Sequence, residues 1–285
     1  RIVGLYSFNL ITITFFCLPL LLIVKKRSNF VIFSLLATIF FGNYIYGSLV
    51  LNQNVNYINS LNSNNNSLNL KIISPNFDLK YNLTSKDTEK LITDLIKYSD
   101  PQANKKTIFI WPEGVFAGVN LRSIKEYMPL FKNNFSKNHL ILFGINKSEL
   151  INGEENIFNS LIVINNNFDE IYEYKKRKLV PFGEFLPFEN LFKKFGFKKI
   201  TQGYGSFSKG EEQPLLIIDN FKILTLICYE IIFPELSKPF DEKNIIINIS
   251  EDAWFGRSIG PYQHFSKAIY RAIENDVFVA RSANK

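Results

Sequence analysis

An apolar run, Ile223 to Ile227, ends abruptly in Cys228, followed by Tyr229 and Glu230. Two other runs end the same way. Thr107 to Ile110 leads into Trp111-Pro112-Glu113, and Ile171 to Tyr174 leads into the basic stretch Lys175-Lys176-Arg177-Lys178. Buried strands of parallel sheets read as continuous apolar runs, and ligands sit beyond the carboxyl ends of such strands. A thiol, a carboxylate and an ammonium at three strand exits are equipment for acyl transfer. Only the thiolate is a strong nucleophile, and it needs a neighbouring base or positive charge. A carboxylate can take the proton, and a lysine can steady the thiolate and then a tetrahedral oxyanion. Each feature alone has a plainer explanation. A buried cysteine packs as a small hydrophobe, Pro-Glu-Gly is ordinary turn chemistry, and four cations in a row suit a solvated or membrane-facing patch. Their recurrence at strand exits is what favours chemistry. Histidine is scarce: only His139 and His264 exist, and neither sits in a recognisable Cys-His motif.

The elements that must position these groups alternate between strand and helix. Lys71 to Ile73 reads as a short strand. Thr84 to Glu89 carries cap-like residues before an amphipathic helix with Leu91, Ile92, Leu95 and Ile96. A helix near residues 121–131 and a strand from Leu140 to Ile145 follow. Phe158 to Ile164 and Ile171 to Tyr174 read as paired strands across Asn165-Asn166-Asn167, and Leu215 to Ile218 with Phe221 to Ile227 as a second hairpin. Ile245 to Ile249 is a strand, Gln263 to Glu274 a helix, and Val277 to Ala280 a final strand. This pattern predicts an α/β domain with mixed sheets.

Ahead of that domain lie two long uncharged runs, Ile2 to Val24 and Phe30 to about Leu51, separated by Lys25-Lys26-Arg27. Each is long enough to cross a hydrocarbon core of about 30 Å, so residues 1–51 are expected to form two transmembrane helices. Residues 52–69, rich in Asn and Ser, are expected as a polar linker, and 70–285 as the catalytic domain. The basic residues between the runs place that turn in the cytoplasm and everything after residue 51 on the far side of the membrane.

The 285 residues carry a formal net charge of +7 and 28 Phe. A basic chain suits nucleic acid or an anionic membrane surface. With no helix-turn-helix pattern, zinc spacing or RNP-like aromatic motif, nucleic acid is set aside and the bilayer preferred. The two cysteines, Cys17 and Cys228, sit in unlike surroundings, so no disulfide framework is expected.

Trp111-Pro112-Glu113, Tyr174-x-Lys176-x-x-Leu179-Val180-Pro181-Phe182-Gly183-Glu184 and Cys228-Tyr229-Glu230 together resemble the Glu-Lys-Cys signature of the nitrilase superfamily. The stretch through Phe185-Leu186-Pro187, and Asp252-Ala253-Trp254-Phe255-Gly256-x-Ser258-x-Gly260-Pro261-x-Gln263-His264, resemble more narrowly the apolipoprotein N-acyltransferases. That resemblance implies an αββα sandwich preceded by transmembrane helices, with further spans before Arg1 and after Lys285. It implies Glu113 as general base, Lys176 as oxyanion-stabilising lysine and Cys228 as nucleophile, supported by Glu184, Tyr229 and Glu230. Tyr81, Trp111 and Trp254 are the expected substrate contacts.

It further implies a multi-pass protein of the bacterial inner membrane with a periplasmic catalytic domain. The acyl donor is then a membrane phospholipid, the acceptor a diacylated apolipoprotein N-terminus, and no metal or organic cofactor takes part. A nitrilase-type amidase acting on small amides would use the same three residues. Two positions depart from the family pattern. Ser250-Glu251-Asp252 stands where Ser-Asn-Asp is usual, and Tyr81 where a tryptophan is common.

Overall fold

The computed structural model describes residues 4–23, 26–61, 68–187, 206–237 and 242–284, and the chain divides into two units, Arg1–Ser67 and Leu68–Lys285. In the first unit the opening apolar run forms α1 (Gly4–Cys17) and α2 (Pro19–Ile23), separated by a turn at Leu18. Pro19 supplies the reason, since it has no N–H to donate and its ring collides with the carbonyl four residues back. At 1.5 Å per residue, the 14 residues of α1 reach only about 21 Å. Within the single continuous span expected from Ile2 to Val24, the described residues 4–23 thus form a broken helix.

The second run lies within α3 (Arg27–Leu61), whose Arg27–Gln53 portion carries the long apolar stretch. Among the described residues this is the one helix long and apolar enough to cross a membrane. Phe15 stacks on Phe40 at 4.2 Å between centroids, pairing α1 with α3. α3 also continues to Leu61, so residues 52–61 of the polar linker expected at 52–69 are helical. No Gly or Pro lies between Ser48 and Leu61 to stop it.

The second unit is built on two sheets. The first has the order β1 (Leu70–Ile72), β2 (Thr107–Ile110), β3 (His139–Ile151), β4 (Glu154–Asn165) and β5 (Glu170–Lys175). Its first three strands run parallel, and β3, β4 and β5 are antiparallel. The second has the order β6 (Leu216–Ile218), β7 (Phe221–Ile227), β8 (Ile245–Glu251) and β9 (Phe278–Asn284), parallel from β7 onward. Strand alternation sorts the side chains into three layers. Ile108, Ile110, Leu142, Leu161 and Val163 meet Ile223, Ile227, Ile247 and Ile249 between the sheets.

The other face of the first sheet, with Phe109, Ile141, Phe143 and Ile162, packs against Ile92 and Leu95 of α4 (Ser85–Ser99). Leu121 and Ile124 of α5 (Leu121–Ile124) and Phe131 of α6 (Met128–Asn134) complete that layer. The helix expected over 121–131 is therefore two short ones, divided by a 3-10 turn just before Pro129. Leu224, Leu226 and Ile246 on the outer face of the second sheet pack against Ala268 of α7 (Gly260–Asn275). Helix, sheet, sheet, helix is the αββα order expected. The largest departure is in β3 and β4, each about twice the length of the strands expected at 140–145 and 158–164; they pair as a hairpin that was not anticipated, closed by Asn152-Gly153 with φ of 53° and 83°.

Candidate active site

Glu113, Lys176 and Cys228 all lie just beyond the ends of β2, β5 and β7. Lys176 Nζ donates to Glu184 Oε1 at 2.8 Å and reaches Glu113 Oε1 at 3.4 Å, with its side chain only 1% exposed. Asn159 Nδ2 donates to Glu113 Oε1 at 2.7 Å and to Glu184 Oε1 at 2.8 Å. Glu251 N–H donates to Glu113 Oε2 at 3.2 Å, and Val180 N–H to Glu184 Oε2 at 2.9 Å. Glu113 thus has partners on both oxygens and is held with one edge toward the lysine. Gly144 on β3 makes room for it, because a Cβ there would meet the Glu113 Cα at 2.9 Å.

Cys228 closes β7 with φ of +50°, in the left-handed region that disfavours a side chain, and opens a 3-10 turn to Ile232. Glu230 ties this turn to the lysine loop. Its Oε1 accepts from Arg177 N–H (2.7 Å), Lys178 N–H (3.0 Å) and the Tyr174 hydroxyl (3.0 Å), and its Oε2 from Ile227 N–H (2.9 Å). One buried carboxylate therefore sets the distance between the two strand exits. Burial outweighs these bonds and pushes Glu230 above its usual range.

The electrostatics of the three groups are coupled. Burial pushes the Cys228 thiol up to about 12, and Glu113 adds to the rise while Lys176 and Ser250 oppose it. The resting thiol is therefore protonated at neutral pH. Burial alone would lower the Lys176 ammonium, but Glu113, Glu184 and Cys228 together hold it above its ordinary value. A protonated thiol beside a carboxylate and a permanent cation can be activated only as the proton leaves, which suits concerted deprotonation and attack.

Of the residues expected to touch substrate, Trp111 is placed elsewhere. It is fully buried, donates its indole N–H to Ser99 Oγ at 2.9 Å, and packs among Phe116, Phe131, Phe135 and Phe143. It shares the outward register of Phe109, so it is core and not a substrate contact. Tyr81 and Trp254 do come together, with ring centroids 5.9 Å apart and Trp254 47% exposed. The half-buried Tyr229 packs edge-on against Phe233 at 5.1 Å. Asn159 was not anticipated, although an Asn-Ser pair inside the apolar stretch Phe158 to Ile164 was a signal of a buried polar task.

Glu251, the departure from the family pattern, accepts from Ala253 N–H at 3.0 Å and Asn284 Nδ2 at 2.9 Å. Burial pushes its carboxyl up to about 8; the Asn284 and Ala253 bonds oppose this, and Glu113 and Asp252 add to it. Its folded value lies above the unfolded 4.5, so the folded state binds the extra proton. That contribution to stability is complete below pH 4.5 and is lost as pH rises through about 8. Glu251→Gln should flatten this decline, which runs at up to roughly 1.4 kcal/mol per pH unit. Thermal unfolding at pH 5, 7 and 9 checks it; equal slopes for the two proteins would refute the assignment.

A family model described as carbon-nitrogen hydrolase matches residues 121–285, a stretch containing Lys176 and Cys228. The chain belongs to the carbon-nitrogen hydrolase family. Solved structures agree on the fold of this carbon-nitrogen hydrolase. A superfamily member from Xanthomonas campestris superposes with a TM-score of 0.50 at 15% identity, over 76% of this chain and 75% of that one. A glutamine-dependent NAD+ synthetase from Acinetobacter baumannii gives 0.52 at 14% identity, over 75% of this chain and 38% of that one.

Curated relatives are narrower. A protein named apolipoprotein N-acyltransferase from Rhizobium leguminosarum bv. trifolii is 35% identical over 63% of this chain and 34% of its own length. Another of that name from Rhodopseudomonas palustris is 29% identical over 99% of this chain and 54% of its own length. The chain thus spans between a third and about half of these relatives.

Proposed function

We propose that this protein transfers a fatty acyl group from a membrane phospholipid, through a thioester on Cys228, to the N-terminal α-amine of a diacylglyceryl-cysteine on an apolipoprotein. The observation that carries the reading is a buried lysine and carboxylate, Lys176 and Glu113, set beside a strained, protonated thiol. The relatives' name and the apolar helix α3 supply the substrate class.

Glu113 takes the Cys228 proton as sulfur attacks the ester carbonyl, and Lys176 stabilises the oxyanion. Collapse breaks the ester C–O bond, and the lysophospholipid oxygen leaves with the proton from Glu113. The acceptor amine then attacks the thioester carbonyl. Its proton passes by way of Glu113 to the departing sulfur, which restores the thiol. Tyr81 and Trp254 form an aromatic rim suited to lipid or acceptor. Lys26 and Arg27, together with Lys25, favour a cytoplasmic turn before α3 and a periplasmic catalytic domain, in a multi-pass protein of the inner membrane.

Incubating the intact protein with acyl-labelled phospholipid should give a hydroxylamine-labile label that Cys228→Ala abolishes. Label retained in the alanine variant would exclude the thioester. Rapid hydrolysis of small amides with no label from phospholipid would favour the membrane-anchored amidase instead.

A further inference from the structure

The histidine absent from the proposed chemistry lies directly behind the nucleophile. His264 is buried on α7, and its Nε2 faces the Cys228 carbonyl oxygen at 3.1 Å, not the thiol. A carbonyl oxygen only accepts, so that nitrogen carries hydrogen and donates. The ring is fixed from its other side. Nδ1 lies 3.0 Å from Asp252 Oδ1, 3.2 Å from Arg281 Nη2 and 3.5 Å from Ser250 Oγ. Arg281 Nη2 clamps both Asp252 oxygens at 2.9 and 2.7 Å, and the Ser250 hydroxyl donates to Oδ1 at 2.7 Å. The Phe255 ring abuts the imidazole edge-on at 5.8 Å. Among the described residues the Cys228 carbonyl has one other side-chain donor, Asn248 Nδ2 at 3.3 Å, but that amide is shared with the Leu226 carbonyl at 3.2 Å.

This matters because Cys228 sits at φ +50°, a conformation that must be held by its surroundings. Peptide units are planar, and no cis bond occurs here, so pinning the Cys228 carbonyl turns the Tyr229 N–H to the opposite side. We infer that His264 is a positioning residue that fixes the 228–229 peptide unit and so aims the Tyr229 amide as a second oxyanion donor beside Lys176. The inference rests on the acyl-transfer role proposed for Cys228. His264 touches no reacting atom; it acts through the backbone of the residue that does.

The test separates an oxyanion effect from packing. In the intact protein in detergent, Cys228 is acylated with p-nitrophenyl butyrate, which passes through an oxyanion, and alkylated with iodoacetamide, which does not. His264→Phe keeps the ring's bulk without the donor, and His264→Gln keeps a donor near the Nε2 position. Losing one oxyanion donor outright costs about 100- to 1000-fold, so a misaimed one should cost roughly 10- to 100-fold. H264F is expected to slow the p-nitrophenol burst by that factor while iodoacetamide labelling changes less than about twofold, and H264Q to recover most of the burst. His264→Met, also lacking a donor, replaces H264F if that variant does not fold. A burst in H264F equal to wild type, or larger than in H264Q, overturns the inference alone. No burst from wild type overturns the acyl-transfer reading and this inference with it.

Discussion

Lys176→Met is expected to reduce acyl-thioester formation by about 100- to 1000-fold and to destabilise the unit Leu68–Lys285 by about 3–5 kcal/mol. The side chain length is kept, so the change is one of charge. With the ammonium gone, Glu113 and Glu184 face one another across the Asn159 amide in a site almost closed to water. Uncompensated buried charge is far more costly than an ion pair is stabilising.

The sign with pH follows from the raised Lys176 value. Its stabilising contribution is complete below the unfolded 10.5 and is lost only as pH rises through the higher folded value. The gap between wild type and K176M should therefore persist across neutral pH and narrow only under strongly alkaline conditions. Thermal unfolding and a single-turnover acylation assay measure the two effects. Wild-type acylation in K176M would remove Lys176 from the oxyanion role.

Glu230→Ala should be the most damaging substitution outside the trio. Four donors, Ile227 N–H, Arg177 N–H, Lys178 N–H and the Tyr174 hydroxyl, would lose their acceptor inside the core. At about 1–3 kcal/mol for each stranded group, the loss comes to about 4–12 kcal/mol, comparable to the whole stability of a typical domain. Glu230→Gln is the more informative variant. Its oxygen can serve the three donors at Oε1, but its NH2 would face the Ile227 N–H, so the strand exit at Cys228 should shift while the fold survives. We expect a folded protein with acylation slowed roughly 100-fold. Full activity in E230Q would show that the carboxylate charge and its second oxygen are dispensable.

Much of this architecture was legible in the sequence because burial on both faces writes itself as apolar runs. Thr107 to Ile110 and Ile245 to Ile249 were read almost to the residue for that reason. The β3 and β4 strands read short, and their pairing was missed, because Asn146 to Glu149 and Glu154 to Asn156 extend beyond the core, where polar side chains erase the apolar signal. Asn152-Gly153 was the remaining clue, since both φ values are positive in the turn that joins twisted strands. The site was legible as a set of strand exits. Trp111 misled through its nearness to Glu113, although its alternation with Ile110 already assigned it to the opposite face. Asn159 and His264 were harder, because a side chain that holds another residue leaves little trace in local pattern. The break at Leu18 came from Pro19, which a hydropathy count passes over.

The two sheets contribute unequally to the site: Glu113 and Lys176 leave the first, and Cys228 leaves the second. None of the three is near another in sequence, so no local segment can assemble a reactive centre during synthesis. Until the sheets dock, Cys228 is an ordinary thiol with an ordinary acidity, exposed to any stray oxidant or electrophile. Docking buries it and raises its pKa, in the same event that brings Glu113 and Lys176 close to it. Chemical competence in this chain is thus a property of finished tertiary structure.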